Sequence, residues 1–485
     1  MQHRCERVLF RAITAIVCSL IACDALAAEP SEHIQAAVGP DLIVTRIYSP
    51  QSHGYEQTED GAVSGLSLGF QLCNIGIESI RYEALPSVHH PLFRSAVYRL
   101  KDNRFEQIGI AWVYHGYAGT NDPGCGFSCT APGNHDGSRL YPGCSDFSGP
   151  SIIAYQPNLG PASQINAHTA VFNLPVTHPS GGQSGRIQVN NNDLDPAMNS
   201  GATYYVEGHC LSSDDAAAGN GNNNASHQRV HVVNATDNPN DSCTGADPLK
   251  FCMFLTDSLY ESQPAIRAWN NHDPEVVETD AQVPGEGLFI LAARATDLGG
   301  GQWSYEYALH NLNSDRSGKS FSMPLPVGVN VSNVGFHDVD YYGGEPYDGT
   351  DWQSAAGSGT ISWSIQDYAD DPNANALRWG TLYNFRFDSN VPPAAATATV
   401  ELFKPGTPQF IHIETVGTTL DPHADGDLDL ADFSLLARCF GEETGAPISP
   451  ALSTQCLAHF DFQLDGLIDL ADWKEFQDGL VGPAE

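Results

Sequence analysis

Positive charge is scarce in this sequence. Its 22 lysines and arginines stand against 58 aspartates and glutamates, for a formal net charge of -36. Nucleic acid and anionic lipid surfaces attract the opposite charge, so neither is expected as a partner. Long apolar runs are also missing beyond the first 28 residues. Nothing later approaches the ~18 apolar residues that a spanning helix requires, so no transmembrane helix is expected. Histidine is plentiful at 18, yet no His-Glu-x-x-His pair, Gly-x-Ser-x-Gly elbow or phosphate-binding glycine loop occurs. The common signatures of zinc proteases, serine hydrolases and nucleotide enzymes are therefore absent.

The N-terminus has the composition of an export signal. Arg4, Arg7 and Arg11 precede an apolar run over residues 13–22 and the small-residue site Ala25-Leu26-Ala27, which predicts a signal peptide over residues 1–28. Leu20-Ile21-Ala22-Cys23 offers the alternative of a lipoprotein anchored through Cys23. Either route predicts a secreted or cell-envelope protein. Of the twelve cysteines, nine lie beyond the signal. Disulfides are the default for them in an oxidising compartment, and the odd count leaves at least one thiol free or paired between chains.

Residues 38–235 read as a β-rich, cysteine-containing domain. Short β-branched and aromatic runs at 42–48, 65–72, 107–114 and 202–208 are punctuated by Gly, Pro and Asn. The loop at 116–150 is unusually long, and Cys125, Cys129 and Cys144 within it favour pinning by cross-links. Residues 236–284 form a junction, with Cys243 and Cys252 close enough to bridge and a short helix at 264–269 opened by Pro264. Residues 285–416 read as a β-sandwich-like domain. There Trp303, Tyr305, Tyr307 and Leu309 alternate with small or polar residues, the period of a half-buried strand. The fold class is thus mainly β: two β-sandwich-like units, followed by a small α-helical module.

That module, residues 421–483, carries the one pattern whose chemistry can be named. Asp421, Asp425, Gly426, Asp429 and Asp432 recur forty residues later as Asp461, Asp465, Gly466, Asp469 and Asp472. Oxygens at loop positions 1, 5, 9 and 12, with glycine at 6 for the turn, suit Ca²⁺. Past each loop, Leu430, Phe433, Leu436 and Phe440 match Leu470, Trp473, Phe476 and Leu480. Steps of three, three and four place each set on one helical face, so the two exit helices can pack together.

A duplicated loop with one exiting helix and Asp at position 12 resembles the dockerin family, the calcium modules that dock bacterial polysaccharide-degrading enzymes onto cohesin scaffolds. Type I dockerins have such loops in pairs. The resemblance implies Ca²⁺ as cofactor, bound by Asp421, Asp425, Asp429, Asp432 and the Asp427 carbonyl in the first loop. In the second it implies Asp461, Gln463, Asp465, Asp469, Asp472 and the Leu467 carbonyl. Position 3 of the first loop is His423, whose imidazole suits a hard cation poorly, so the second site is expected to bind more tightly. Leu430-Ala431 and Leu470-Ala471 fill positions that are often hydroxyl residues in cellulosomal members. The implied partner is a cohesin-like or other surface protein.

For the body, no catalytic set can be assigned. The candidates for acid–base or metal chemistry are His90, His115 and Asp146. A second cluster, His337, Asp338 and Asp340 with Asp348 and Asp351, reads either as solvated turn carboxylates or as a calcium or carbohydrate site. Tyr341, Tyr342, Tyr347 and Trp352 read either as core and turn residues or as a sugar-stacking platform. Two functions stay open: an exported calcium-binding protein with a docking module, linked to polysaccharide breakdown or binding, or a non-catalytic surface or adhesion protein.

Overall fold

Turn chemistry sets the hairpins. Asp102 and Asn103 both take the left-handed conformation, at φ 50° and 63°. Short polar side chains tolerate it, and two such residues give a turn whose twist matches antiparallel strands. They join Leu92–Lys101 to Arg104–His115. Gly299, Gly300 and Gly301, all at positive φ, make the equivalent connection between Leu288–Gly299 and Gln302–Asn311.

The computed structural model describes residues 38–418, apart from 60, 155–157, 179–181, 238–249, 327–328, 342–343 and 358, together with residues 433, 436, 437, 473 and 474. The fold is mainly β, with 49% strand and 8% helix.

The first part of the chain builds one eleven-stranded sheet. Its main path runs Phe251–Leu255, Ala225–Asn234, Thr203–Leu211, Leu92–Lys101, Arg104–His115, Ile187–Asn190, Gly61–Asn74, Cys144–Ser148 and Asp122–Pro123. Leu42–Thr58 pairs with Gly61–Asn74 over nearly its whole length and also lies against Phe251–Leu255, so the sheet closes back on itself. The long loop after His115 is fastened by Cys73–Cys125 and Cys129–Cys144. Cys252 is also disulfide-bonded, while its expected partner Cys243 lies outside the described residues. Cys210 is free and buried. Within the junction range, Phe251–Leu255 pairs into the first sheet and Val277–Gln282 into the next, so these residues give an edge strand to each.

The later part forms two five-stranded antiparallel sheets. One runs Val277–Gln282, Leu288–Gly299, Gln302–Asn311, Thr381–Ser389, Val331–His337, and the other Gln353–Gly357, Thr360–Ser364, Gly318–Pro324, Ala394–Leu402, Phe410–Gly417. Their inner faces meet through buried aromatics: Tyr305, Tyr307, Phe385 and Phe387 against Phe321 and Trp363.

One hydrophobic core runs from the first sheet into the sandwich, joining Tyr98, Phe105 and Tyr205 to Phe289, Leu382 and Phe385. Polar side chains lock the same boundary. Gln107 donates from Nε2 to the Gly380 carbonyl at 3.0 Å and accepts from the Leu382 amide at 2.8 Å. Asn384 donates to the Phe105 carbonyl at 2.8 Å, and Arg104 pairs with Glu306 at 2.5 Å. Each answers a buried backbone or charged group that is costly to leave alone.

Candidate functional site

The backbone brings His90 and His115 together. His115 ends the strand Arg104–His115, and His90 precedes Leu92, which pairs with His115 across the hairpin. Their rings share a hydrogen bond, His90 Nε2 to His115 Nδ1 at 2.9 Å, and His90 Nδ1 lies 3.0 Å from the Glu83 carbonyl. Tyr117 and Phe172 close around them. Both imidazoles are 2% exposed. Burial lowers His90 to about 4, and burial with the neighbouring His90 and His178 lowers His115 to about 3. Asp146 has other partners: it accepts from Tyr82 Oη at 3.0 Å and from the Thr120 amide at 2.9 Å, and burial raises its pKa. Enclosed in this way, the two imidazoles are neutral near pH 7 and are bonded to each other.

The pair carries a pH signature. A histidine whose folded pKa lies below its unfolded value near 6.5 contributes stability above that value, lost as pH falls toward the folded pKa. The stability advantage of the native chain over His90→Gln is expected to be largest above pH 6.5 and to shrink as pH falls to about 4. Urea midpoints measured across that range check it, and a constant difference overturns it.

In the second cluster, Asp338 accepts from the Asn375 amide, and burial with Asp351 and Asp340 nearby raises it to about 6. Asp348 accepts from Thr350 within its own turn. Trp352 is buried, donating from Nε1 to the Asn375 carbonyl at 2.6 Å. Tyr347 carries the Arg378 guanidinium 4.2 Å above its ring. Trp352 thus packs inward and Arg378 covers one face of Tyr347, while Tyr342 lies outside the described residues. Among the described residues no group of three His, Cys, Asp or Glu side chains is placed to hold a metal.

An open aromatic face occurs elsewhere, at a place the sequence pattern did not single out. Arg46, Gln71 and Phe147 stand in one register row across three neighbouring strands, and Tyr48 is the next residue on the same face as Arg46. Gly69 lies opposite Tyr48, where an added Cβ would meet Pro150 Cδ at 2.6 Å. Tyr48 and Phe147 meet edge to face at 4.7 Å, and the Arg46 guanidinium lies 5.0 Å from the Tyr48 ring. Phe147 is 44% exposed. Gln71 donates to Ser145 Oγ at 3.2 Å. Period-two spacing of Arg46 and Tyr48 was visible in the sequence; the approach of Phe147 was not.

The calcium-loop residues Asp421, Asp425, Asp427, Asp429, Asp432, Asp461, Gln463, Asp465, Leu467, Asp469 and Asp472 lie outside the described residues. Among the residues described beyond these loops, the Phe433 and Trp473 rings are 5.2 Å apart and Leu436 is fully buried.

Fold and surface together define a mainly β, disulfide-bonded protein in which no described helix is long and apolar enough to cross a membrane. Disulfides of this kind are compatible with an extracellular setting. No family model and no curated protein matches the chain. Among solved structures it has a distant similarity to the N-terminal domain of the Streptococcus gordonii adhesin Sgo0707, at 9% identity over 80% of this chain and 97% of that one, with a TM-score of 0.17. A match that loose carries no argument.

Proposed function

We propose that this is an exported calcium-binding protein that docks through its C-terminal repeat pair and presents a non-catalytic, glycan-binding β-rich body. The observation that carries the reading is the contact between Phe433 and Trp473. They occupy the same position in the two copies of the motif, forty residues apart. Two exit helices that meet through equivalent residues are what a duplicated calcium module needs, because each half alone has too little core. The doubled Asp pattern supplies oxygens for Ca²⁺, and a cohesin-like or other surface protein is the partner class.

For the body, the exposed Phe147 ring and the half-buried Tyr48 ring beside Arg46 and Gln71 favour binding over catalysis. Aromatic faces suit the apolar face of a sugar ring, and the flanking amide and guanidinium suit its hydroxyls. The enclosed histidine pair supports the same choice.

In the full chain, millimolar Ca²⁺ is expected to raise the helical circular dichroism signal, and Asp425→Ala with Asp465→Ala to abolish that rise. A signal unmoved by Ca²⁺ sinks the docking half. On a glycan panel, retention without new reducing ends is expected, weakened about tenfold by Tyr48→Ala with Phe147→Ala, equivalent to about 1.4 kcal/mol. Hydrolysis of any panel member overturns the binding half.

A further inference from the structure

An open sheet edge carries a row of unpaired N–H and C=O groups, and proteins blunt such edges with bulges, charges, proline, shortness or a covering segment. Among the described residues, this chain does so at the other edges of its large sheets. Val331–His337 is bulged between Ser332 and Gly335, with Asn333 at φ 52°. Val277–Gln282 carries Glu278 and Asp280, Phe410–Gly417 carries His412 and Glu414, and these two edges lie against each other. Phe251–Leu255 and Leu42–Thr58 cover one another. Asp122–Pro123 and Leu159–Gly160 have only two residues each.

Gln353–Gly357 has none of these guards. Its sequence, Gln-Ser-Ala-Ala-Gly, holds no charge and no proline, and it pairs with Thr360–Ser364 without a register shift. It ends its sheet, and all five residues are exposed. Among the described residues no further backbone hydrogen bond reaches it. In an antiparallel pair every second residue turns its N–H and C=O away from the partner, so this strand offers a free ladder to one more strand. Ser354, Ala355 and Ala356 are short, so an arriving strand meets little bulk.

The charges around this edge define what the arriving strand carries. Asp348 and Asp351 precede it, and Asp367 and Asp370 follow the strand it pairs with; all four are exposed. Gln353 pairs with Ser364, and the Asp348 amide bonds the Asn373 carbonyl at 2.8 Å, so both acidic segments lie at the Gln353 end. Cations there are already engaged. Lys319 pairs with Asp367 and, at 2.8 Å, with Glu401, and Arg378 is buried against Tyr347. A second copy of a chain with net charge -36 would bring like charges together at this end.

We infer that Gln353–Gly357 is a docking edge that takes an extended, lysine- or arginine-bearing segment of another protein as a sixth strand of its sheet. Backbone hydrogen bonds supply the affinity, and the flanking carboxylates select a basic partner. The edge shares no residue with the C-terminal repeats or the Phe147 face, so it stands whether or not those readings do.

The probe is a fluorescein-labelled peptide of alternating threonine and valine with a lysine at each end, titrated with the full chain and followed by fluorescence anisotropy. Saturable binding is expected. N-methylation of the peptide amides, which removes its backbone donors, is expected to weaken it at least about tenfold, as is Ala355→Lys with Ala356→Lys, which guards the edge. Glutamate in place of both peptide lysines, or Asp348→Asn with Asp351→Asn in the chain, is expected to weaken it about threefold or more. Near-ultraviolet circular dichroism verifies the fold of both variants, whose substitutions all lie at exposed positions. No saturable binding up to about 1 mM peptide, or binding unmoved by the double lysine variant, overturns the docking edge. Equal binding of lysine- and glutamate-ended peptides overturns the basic partner. The sedimentation coefficient of the chain alone is expected to be the same with and without the double lysine variant; a dimer that the variant dissociates makes a second copy the occupant and overturns the inference.

Discussion

Phe385→Ala is expected to lower the unfolding free energy of the body by about 4 kcal/mol, toward the upper end for a buried aromatic truncated to alanine. The size follows from position. Phe385 is fully buried on Thr381–Ser389, stacked on Phe321 of the facing sheet at 4.5 Å, with Trp363, Trp352 and Phe336 rings at 5.4, 5.5 and 5.7 Å. Removing the ring takes away the contact surface of four aromatics held by both sheets. Indole and phenyl groups fixed on paired strands cannot collapse into the space, so most of the cavity persists. Phe385→Leu, which keeps most of the volume, is expected to cost under about 1.5 kcal/mol. Urea denaturation followed by circular dichroism checks both, and an alanine variant within about 1 kcal/mol of the native chain contradicts the reading of one shared core.

The second large effect belongs to the cross-linked loop. Cys73→Ala with Cys125→Ala is expected to cost about 4 kcal/mol, because that bridge closes a separation of 52 residues in the unfolded chain. The Cys129–Cys144 bridge closes only 15 residues, so Cys129→Ala with Cys144→Ala is expected to cost about 3 kcal/mol. The smaller loss has the larger functional reach. Cys144 opens the strand Cys144–Ser148 that carries Phe147, so freeing it loosens one ring of the aromatic face. Glycan retention is therefore expected to fall more with the Cys129/Cys144 pair than with Cys73/Cys125. Calorimetry and the same glycan panel separate the two, and the reverse order of retention contradicts it.

Local pattern and tertiary pairing divided the information unevenly. Alternation in 303–309 marked a strand that is present as Gln302–Asn311, and the cysteines in 116–150 marked a loop that two disulfides hold. Side-chain period follows from strand geometry, and thiols in an oxidising compartment pair, although only Cys129–Cys144 is a local bridge and Cys125 reaches back to Cys73. His90 and His115 were singled out as chemical candidates, and the fold does join them, in an enclosed aromatic setting. Burial is a property of the whole packing and leaves no mark on a single histidine.

By itself, then, the sequence determined the strand-rich character of the body, the acidic charge, the cross-linked loop and the duplicated motif at the C-terminus, because each is written in residue type and spacing. Only the tertiary structure decided which side chains meet. Tyr48 and Phe147 come together through register with an intervening strand. Asp215 reaches the Leu42 amide across 173 residues, and Asn223 reaches Asp41 across 182. Contacts at such separations depend on sheet order and on burial of the shared core, which no local propensity encodes.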